Sequence, residues 1–123
     1  DFDGDGDLDL LITACGDRPR LLRNELSPAA NWLRFRLIGT ACNRDAIGSW
    51  IEVTTGHGRL RRHVMPSRSY LSQVELPVTV GLGSDASIEA VSVHWPDGTR
   101  QELGSWKRGD INVVRQPLSQ RGE

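Results

Sequence analysis

Short runs of alternating apolar and polar residues restrict the fold of this chain more than any other feature. In residues 32–38 (WLRFRLI), apolar side chains alternate with Arg34 and Arg36. A period of two is typical of a β-strand with one dry and one wet face, whereas a helix repeats every ~3.6 residues. Similar runs predict strands at residues 38–46, 49–55, 58–65, 78–82, 88–95 and 111–115. So many short strands indicate an all-β domain, either an antiparallel sandwich or a barrel.

Turn residues separate two pairs of these predicted strands. Residues 56–58 (GHG) and 97–98 (DG) contain glycine, which adopts positive φ without strain, and aspartate, which tolerates that conformation. Each of these sites therefore predicts a β-hairpin, in which the two neighbouring strands are antiparallel.

Charge is distributed unevenly along the chain. The first 17 residues hold six aspartates and neither Lys nor Arg, although the net charge of all 123 residues is only −1. A Ser-Pro-Ala-Ala stretch at 27–30 separates this acidic front from an Arg-rich remainder. We therefore predict a first unit at residues 1–26, a β domain at 27–118 and a disordered tail at 119–123. No run approaches the roughly 18 apolar residues that a membrane-spanning helix needs, so no membrane span is predicted.

The acidic front carries a spacing that is typical of a calcium loop. Residues 1–9 (DFDGDGDLD) fit the pattern D-x-D-x-D-G-x-x-D, in which alternate aspartates of a tight turn converge on one hard cation. The predicted ligands are Asp1, Asp3, Asp5 and Asp9 through their carboxylates, and Asp7 through its backbone carbonyl. No base within this segment offsets the carboxylates, and two charges ~4 Å apart repel by about 4 kcal/mol at an effective dielectric of roughly 20. Bound Ca²⁺ would remove that repulsion.

This loop does not have the pattern of an EF-hand. An EF-hand needs a bidentate Glu at the last position of its loop, and that position is Ile12, within the apolar run of residues 8–12. The run predicts a strand, so the metal loop would lead into a strand rather than a helix. The α-amino group of Asp1 would place a positive charge beside the first ligand. The alternative is a solvated acidic tail that binds no metal.

Two parts of the chain resemble known families. Residues 1–12 resemble the calcium loop of the FG-GAP/VCBS repeats, which form blades of β-propellers. Residues 31–103 resemble the ASPIC/UnbV domain, which commonly follows such repeats in secreted proteins, among them the cartilage acidic protein family and bacterial proteins. Four segments carry this second resemblance: NWLRFRL with GT at 31–40, NRDAIG at 43–48, SYLSQ running to GLG at 69–83, and VHWPDG at 93–98.

The resemblance implies a function without catalysis. Members of this family are read as extracellular, calcium-associated proteins of adhesion or recognition, and the family carries no general enzymatic activity. It implies a protein or glycan partner in the extracellular space, a secreted or cell-surface location, and further propeller repeats upstream in the native chain. Cys42 departs from the family pattern, because the loop before NRD is expected to hold a small polar residue.

Several polar and aromatic residues are candidates for a ligand site in the β domain. Arg44 and Asp45 lie near a glycine that allows close approach, and the alternative is a structural turn in which both bond neighbouring backbone. Tyr70 and Gln73 lie in a polar loop that suits a sugar, and the alternative is a buried Tyr70 that anchors a corner. The remaining candidates form an Arg-rich and aromatic sheet face: Arg34, Arg36, Arg61 and Trp50, with Arg59, Arg62 and Arg68. Such a face would hold an acidic glycan or remain solvated beside glutamates. Nucleic acid is disfavoured, because the pI is about 6.3 and stacking residues are few.

Catalytic residues are not indicated by any motif. The chain has 3 His and 2 Cys, but no G-x-S-x-G, H-E-x-x-H or phosphate-binding loop. We therefore predict a non-catalytic, calcium-binding extracellular module of recognition, adhesion or assembly. The alternatives are a carbohydrate-binding module and a hydrolase accessory or catalytic domain. Cys15 and Cys42 both follow predicted strand ends, so they form either one bridge or two buried thiols.

Overall fold

The computed structural model describes residues 1–25, 31–84 and 87–118. Within these ranges the chain forms eleven β-strands, and it contains no helix that is long and apolar enough to cross a membrane. The strands are, in chain order, β1 Leu10–Ile12, β2 Arg20–Leu22, β3 Trp32–Ile38, β4 Trp50–Thr55, β5 Gly58–His63, β6 Ser67–Ser69, β7 Ser72–Gln73, β8 Val78–Gly81, β9 Ile88–His94, β10 Arg100–Glu102 and β11 Ile111–Arg115. The prediction of an all-β fold is confirmed. The predicted boundary at 27–30 and the predicted tail at 119–123 lie outside the described residues.

Two sheets that share one core make the body of the fold. One sheet has four strands in the order β10-β9-β4-β5, and the other has three in the order β11-β3-β8. The core takes Ile51, Val53, Val91 and Val93 from the first sheet and Leu33, Phe35, Val80 and Val114 from the second. Neither sheet closes into a barrel over the described strands, so the fold is a sandwich. β11 runs parallel to β3, whereas the other described strand pairs are antiparallel.

β3 follows the predicted alternation on its inner face and departs from it on its outer face. Phe35 is 0% exposed, and Arg36 is exposed as expected. Arg34 is expected to face water, but it is only 5% exposed. The reason is that the acidic loop lies over this part of the strand and pairs with its guanidinium.

The strand predicted at residues 38–46 is not formed, because the chain turns after Ile38. Gly39 donates its N–H to the carbonyl of Arg44 at 3.0 Å. A Cβ on Gly39 would lie 2.1 Å from the carbonyl oxygen of Asn43, so the backbone approaches itself closely here. Local bonds of this kind replace a strand ladder, and a period of two in the sequence does not reveal them.

Both predicted hairpins are present. β4 and β5 pair antiparallel around residues 56–57, and β9 and β10 pair antiparallel around residues 97–98. Gly98 has a φ of 86°, and Oδ1 of Asp97 accepts the N–H of Thr99 at 3.0 Å, which closes the second turn. Two further hairpins, β1–β2 and β6–β7, form small sheets of their own.

Candidate functional site

The acidic loop, residues 1–9, packs against the outer face of the three-stranded sheet. Gly6 is buried there with a φ of 98°, and a Cβ on it would lie 2.2 Å from Nε1 of Trp32. Only glycine therefore allows the loop to lie this close to the indole ring. The Gly6 N–H donates to Oδ2 of Asp1 at 3.2 Å, which closes the loop on itself. The loop is thus folded onto the sandwich.

Three of the predicted metal ligands lie together in this loop. Asp1, Asp3 and Asp9 each place one carboxylate oxygen within 4.8 Å of the other two. Backbone N–H groups position Asp9, because Asn24 donates to its Oδ1 at 2.9 Å and Phe2 to its Oδ2 at 2.7 Å. These bonds, with that of Asn24 first, hold the pKa of Asp9 below its usual range. Its carboxylate is therefore charged at neutral pH.

Asp5 and Asp7 have different surroundings from these three. Oδ1 of Asp5 accepts the N–H of Asp7 at 2.9 Å, which makes a local turn, and the side-chain cluster does not include Asp5. Oδ2 of Asp7 and Oδ1 of Asp1 are buried without a hydrogen-bond partner in the described part of the chain. Buried carboxylate oxygens without a donor are ligands that a hard cation such as Ca²⁺ accepts. The donor set of this loop therefore fits Ca²⁺.

Two arginines from outside the loop lie against its carboxylates. Arg23, just after β2, places Nε 2.6 Å from Oδ2 of Asp3. The buried guanidinium of Arg34 pairs with Asp1 and with Glu75. The loop itself contains no base, but the fold brings two distant bases to its carboxylates. A cation would share Asp1 and Asp3 with these guanidinium groups.

A charged cleft adjoins Glu75. Two neighbouring cavities, of about 380 Å³ and 210 Å³, share Arg36, Leu37 and Asp45 in their walls, and we refer to the pair as the Arg36 cleft. The larger cavity is completed by Gln73, Val74, Glu75, Leu76 and Pro77, and the smaller by Ile38, Arg44 and Arg115. The structure therefore brings together four of the candidate binding residues, namely Arg36, Arg44, Asp45 and Gln73.

The loop that carries Arg44 and Asp45 is held by its neighbours. Asn43 accepts the N–H of Ile47 through Oδ1 and donates to the carbonyl of Ile47 through Nδ2, both at 2.8 Å. Ala46 is fully buried and has a φ of 54°. Within the described ranges, no hydrogen bond or ion pair involves the side chain of Arg44 or Asp45. The predicted structural turn is present, but the side chain of Asn43, rather than Arg44 or Asp45, holds it. The charged groups of Arg44 and Asp45 can therefore contact a ligand.

Gln116 anchors the same region, and no sequence pattern singles it out. The residue is 3% exposed. Its Oε1 accepts the N–H groups of Thr40 and Ala41 at 3.0 Å and of Cys42 at 3.1 Å, and its Nε2 donates to Oδ2 of Asp97 at 2.7 Å. An amide in a polar segment after a strand gives no signal of burial, so reasoning from the sequence misses it.

Trp50, a candidate for stacking on a sugar, has its ring covered by other side chains. The ring of His94 stacks on it with centroids 3.6 Å apart and 8° between the planes. The guanidinium carbon of Arg61 lies 4.7 Å from the ring centroid. Because β9 and β5 flank β4, these contacts come from both neighbouring strands. The Trp50 ring therefore stacks on side chains of the described residues instead of forming an open platform for a sugar.

The predicted Arg-rich face is divided between the two sheets. Arg34 and Arg36 lie on β3, whereas Arg61 lies on β5 of the other sheet. Arg61 donates through Nε to Oε2 of Glu52 at 2.8 Å, and this bond, above all, holds the pKa of Glu52 below its usual range. A single basic face is not formed, because these strands enter different sheets.

Tyr70 does not anchor a corner of the sandwich. It lies at the tip of the β6–β7 hairpin and is 89% exposed. Leu71 beside it has a φ of 51°, a left-handed conformation that is uncommon for a residue with a Cβ. The alternative of a buried Tyr70 is therefore wrong.

The two cysteines are free thiols, so the predicted bridge is not present. Cys15 is exposed in the turn between β1 and β2. Cys42 is partly buried, and its Sγ lies 3.5 Å from the carbonyl oxygen of Asn43, within its own turn. Burial raises the pKa of the Cys42 thiol. The two thiols thus lie in different surroundings. The alternative of two buried thiols is also wrong, because Cys15 is exposed and Cys42 is only partly buried.

Two comparisons with known proteins bear on this region. The family described as ASPIC and UnbV matches residues 39–120. Cartilage acidic protein 1 of Homo sapiens is 30% identical over 127 residues, which covers 100% of this chain and 19% of that protein. The chain therefore spans about a fifth of the length of this relative. The family match includes the loop at 43–48 and Arg115, and the acidic loop lies before it.

Proposed function

The chain belongs to the ASPIC and UnbV family, and we propose that it is a non-catalytic, calcium-binding module of recognition, adhesion or assembly outside the cell. The similarity to a relative whose name refers to cartilage supports the location. The geometry of the acidic loop supports the calcium site, and the Arg36 cleft supports a binding role. The proposed partner is a protein or a glycan.

One observation carries the calcium part of this proposal. The carboxylates of Asp1, Asp3 and Asp9 converge at a point where Oδ1 of Asp1 is buried without a donor among the described residues. Ca²⁺ takes about 6–8 oxygens at roughly 2.3–2.6 Å, so these carboxylates and nearby backbone carbonyls would supply its ligands. Asp1 also pairs with Arg34 of β3, so an ion bound here would fasten the loop to the sandwich. All inferred ligands come from one loop, which favours a structural role for the ion.

We also propose that residues 1–26 are the end of an FG-GAP/VCBS-like repeat within a longer protein. The β1–β2 hairpin supports this, because its large apolar side chains are exposed: Leu10, Leu11, Ile12, Leu21 and Leu22. A two-stranded hairpin is marginally stable in water by itself. Further strands of a propeller blade would pair with this hairpin and cover its apolar side chains.

The surroundings of two histidines support a role without catalysis. His63 and His94 both stack near Trp50, and neither ring hydrogen-bonds a hydroxyl or thiol of a described residue. A nucleophile and its base lie within about 2.6–3.2 Å of each other in an active site. Turnover of an ester, glycoside or phosphate substrate that disappears in His63→Ala or His94→Ala would overturn this part of the proposal.

Calorimetric titration with CaCl₂ and thermal melting test the calcium part. At roughly 1 mM free Ca²⁺ and a Kd near 10⁻⁴ M, linkage gives about 1.4 kcal/mol of added stability. For a domain of this length the melting temperature should then rise by about 3–7 °C. Asp3→Asn should abolish the rise, while Asp17→Asn, at an exposed position beyond β1, should retain it. If neither heat of binding nor a rise in melting temperature is observed, the calcium site is wrong and the recognition role stands alone.

A further inference from the structure

We propose that the Arg36 cleft binds an acidic sugar, a pyranose ring that carries a carboxylate, such as a uronate. This inference rests on the proposed recognition role and names the class of its ligand. The cleft is formed by residues of β3, of β11, of the loop at 43–48 and of the segment at 73–77. Glu75, in the wall of the larger cavity, links the cleft to the acidic loop, because Arg34 pairs with both Glu75 and Asp1. The Trp50 stack lies in the other sheet.

Three arginines suit the cleft to an anion. Arg36 belongs to β3, Arg115 to β11 and Arg44 to the loop beside them. No ion pair joins any of the three to a residue of the described ranges, whereas Arg34 and Arg61 are both paired with carboxylates. A planar guanidinium binds a carboxylate through two parallel N–H···O bonds. An arginine without an ion-pair partner can make these bonds to a ligand without first breaking a salt bridge.

The other polar groups of the cleft distinguish a sugar from a simple anion. Asp45 lies in both cavities, and its carboxylate has no hydrogen-bond donor among the described residues. A carboxylate only accepts hydrogen bonds, and sugar hydroxyls are donors that would satisfy it. Asp45 repels any anion, but the hydroxyl groups of a uronate donate hydrogen bonds that offset this repulsion. Sulfate or a glutamate side chain offers no such donor at neutral pH. Gln73 adds an amide that donates and accepts.

The walls of the cleft also suit a sugar ring in size and polarity. Leu37, Leu76 and Pro77 give the larger cavity an apolar part, which suits the C–H face of a pyranose. The volume of this cavity, about 380 Å³, falls within the roughly 300–1,000 Å³ of small-molecule sites.

The backbone that carries Arg44 and Asp45 is held before a ligand arrives. Gln116 fixes the turn at residues 40–42, and Asn43 fixes the loop that carries Arg44 and Asp45. A site whose backbone is already ordered loses less conformational entropy on binding. The arrangement therefore favours binding of a small ligand over a large change of shape.

Titration of the 123-residue chain with sodium D-glucuronate, followed by NMR chemical shifts, tests this inference. D-Glucose, which has a matching ring without the carboxylate, is the control ligand. We expect saturable glucuronate binding with a Kd of roughly 1–10 mM, and binding of glucose that is about tenfold weaker or less. Arg36→Gln and Arg115→Gln should each weaken glucuronate binding by about fivefold or more. Arg62→Gln, at an exposed position of β5 in the other sheet, should change it by less than about twofold.

Asp45→Asn separates a sugar site from a general anion site. The substitution should weaken glucuronate binding, because it replaces one of the two acceptor oxygens that face the sugar hydroxyls by an amide donor. It should strengthen sulfate binding, because it removes the negative charge that repels sulfate. Glucuronate binding that is unchanged or tighter in Asp45→Asn would overturn the inference. Sulfate or polyglutamate that binds the native chain as tightly as glucuronate would also overturn it, as would the absence of saturable glucuronate binding up to about 50 mM.

The melting temperature of each variant, with and without CaCl₂, distinguishes failure of the acidic-sugar site from failure of the proposed function. A variant that melts like the native chain is folded, so its loss of glucuronate binding reports on the cleft. Calcium binding without glucuronate binding contradicts the acidic-sugar site alone. Absence of both contradicts the proposed function as well.

Discussion

Replacement of Gln116 by alanine tests whether this side chain holds the turn that follows β3. Gln116→Ala removes one acceptor that is shared by the N–H groups of Thr40, Ala41 and Cys42. It also removes the donor to Asp97. Because Gln116 is buried, the alanine side chain leaves the three N–H groups and the Asp97 carboxylate without the partner that Gln116 supplied.

The expected loss in the free energy of unfolding is about 3 kcal/mol. A net hydrogen bond between neutral groups contributes about 0.5–1.5 kcal/mol, and a bond to a charged group about 1.5–3 kcal/mol. Thr40 and Ala41 are exposed, so water can accept hydrogen bonds from their N–H groups after the substitution. We therefore take the lower end of the summed contributions of the three neutral bonds and the one charged bond. For a domain of this length, a loss of about 3 kcal/mol lowers the melting temperature by about 6–15 °C.

Urea unfolding followed by circular dichroism measures this loss. Gln73→Ala is the matched control, because Gln73 is an exposed amide whose side chain makes no hydrogen bond within the described part of the chain. The control should stay within about 0.5 kcal/mol of the native chain, and Gln116→Ala should shift the midpoint without a change in m. If both variants unfold at the same urea concentration, the reasoning about Gln116 is refuted.

Three further outcomes follow from the packing and the charges. Phe35→Ala should cost about 3–5 kcal/mol of unfolding free energy and Arg36→Ala less than about 0.5 kcal/mol, and equal losses in a denaturant melt would contradict the two-faced strand. Arg23→Gln should tighten calcium binding about two- to fivefold in calorimetry, because Arg23 competes for Asp3, and an unchanged or weaker affinity would contradict this competition. Burial, above all, lowers the pKa of His94 in the folded state, so the unfolded chain binds its proton more readily and stability falls as the pH drops below about 6.5. His94→Phe should show a smaller fall in melting temperature from neutral to mildly acidic pH, and an identical pH dependence would refute that assignment.

The strands and hairpins could be predicted from the sequence because their signals are local. The alternation around Phe35 identifies the inner face of β3, and the Asp97-Gly98 pair identifies the turn between β9 and β10. Each of these signals depends on a few neighbouring residues and on a period of two. The same reasoning fails at residues 38–46, where the Asn43 side chain bonds the backbone and replaces the ladder.

The candidate site could be predicted only in part, because its geometry depends on distant residues. The spacing of aspartates identifies the acidic loop, but it does not show that Arg34 lies beneath it. The NRD segment identifies Arg44 and Asp45, but Arg115 comes from β11, much later in the chain, and carries no motif. Tertiary contacts of this kind decide which charges remain unpaired. Such contacts join residues that are distant in the chain, so they leave no local pattern in a single sequence.

The parallel pairing of β11 with β3 has a consequence for synthesis of the chain. β3 has β8 on one side, but its other side is filled by β11, which leaves the ribosome after the other described strands. Until β11 emerges, β3 presents an unpaired edge next to a strongly apolar face, and such edges promote association between chains. Contacts between segments so distant in sequence also form slowly. A nascent or truncated chain that ends before residue 111 therefore has an open edge on β3 that can join another such chain, and completion of β11 is the step that closes this edge.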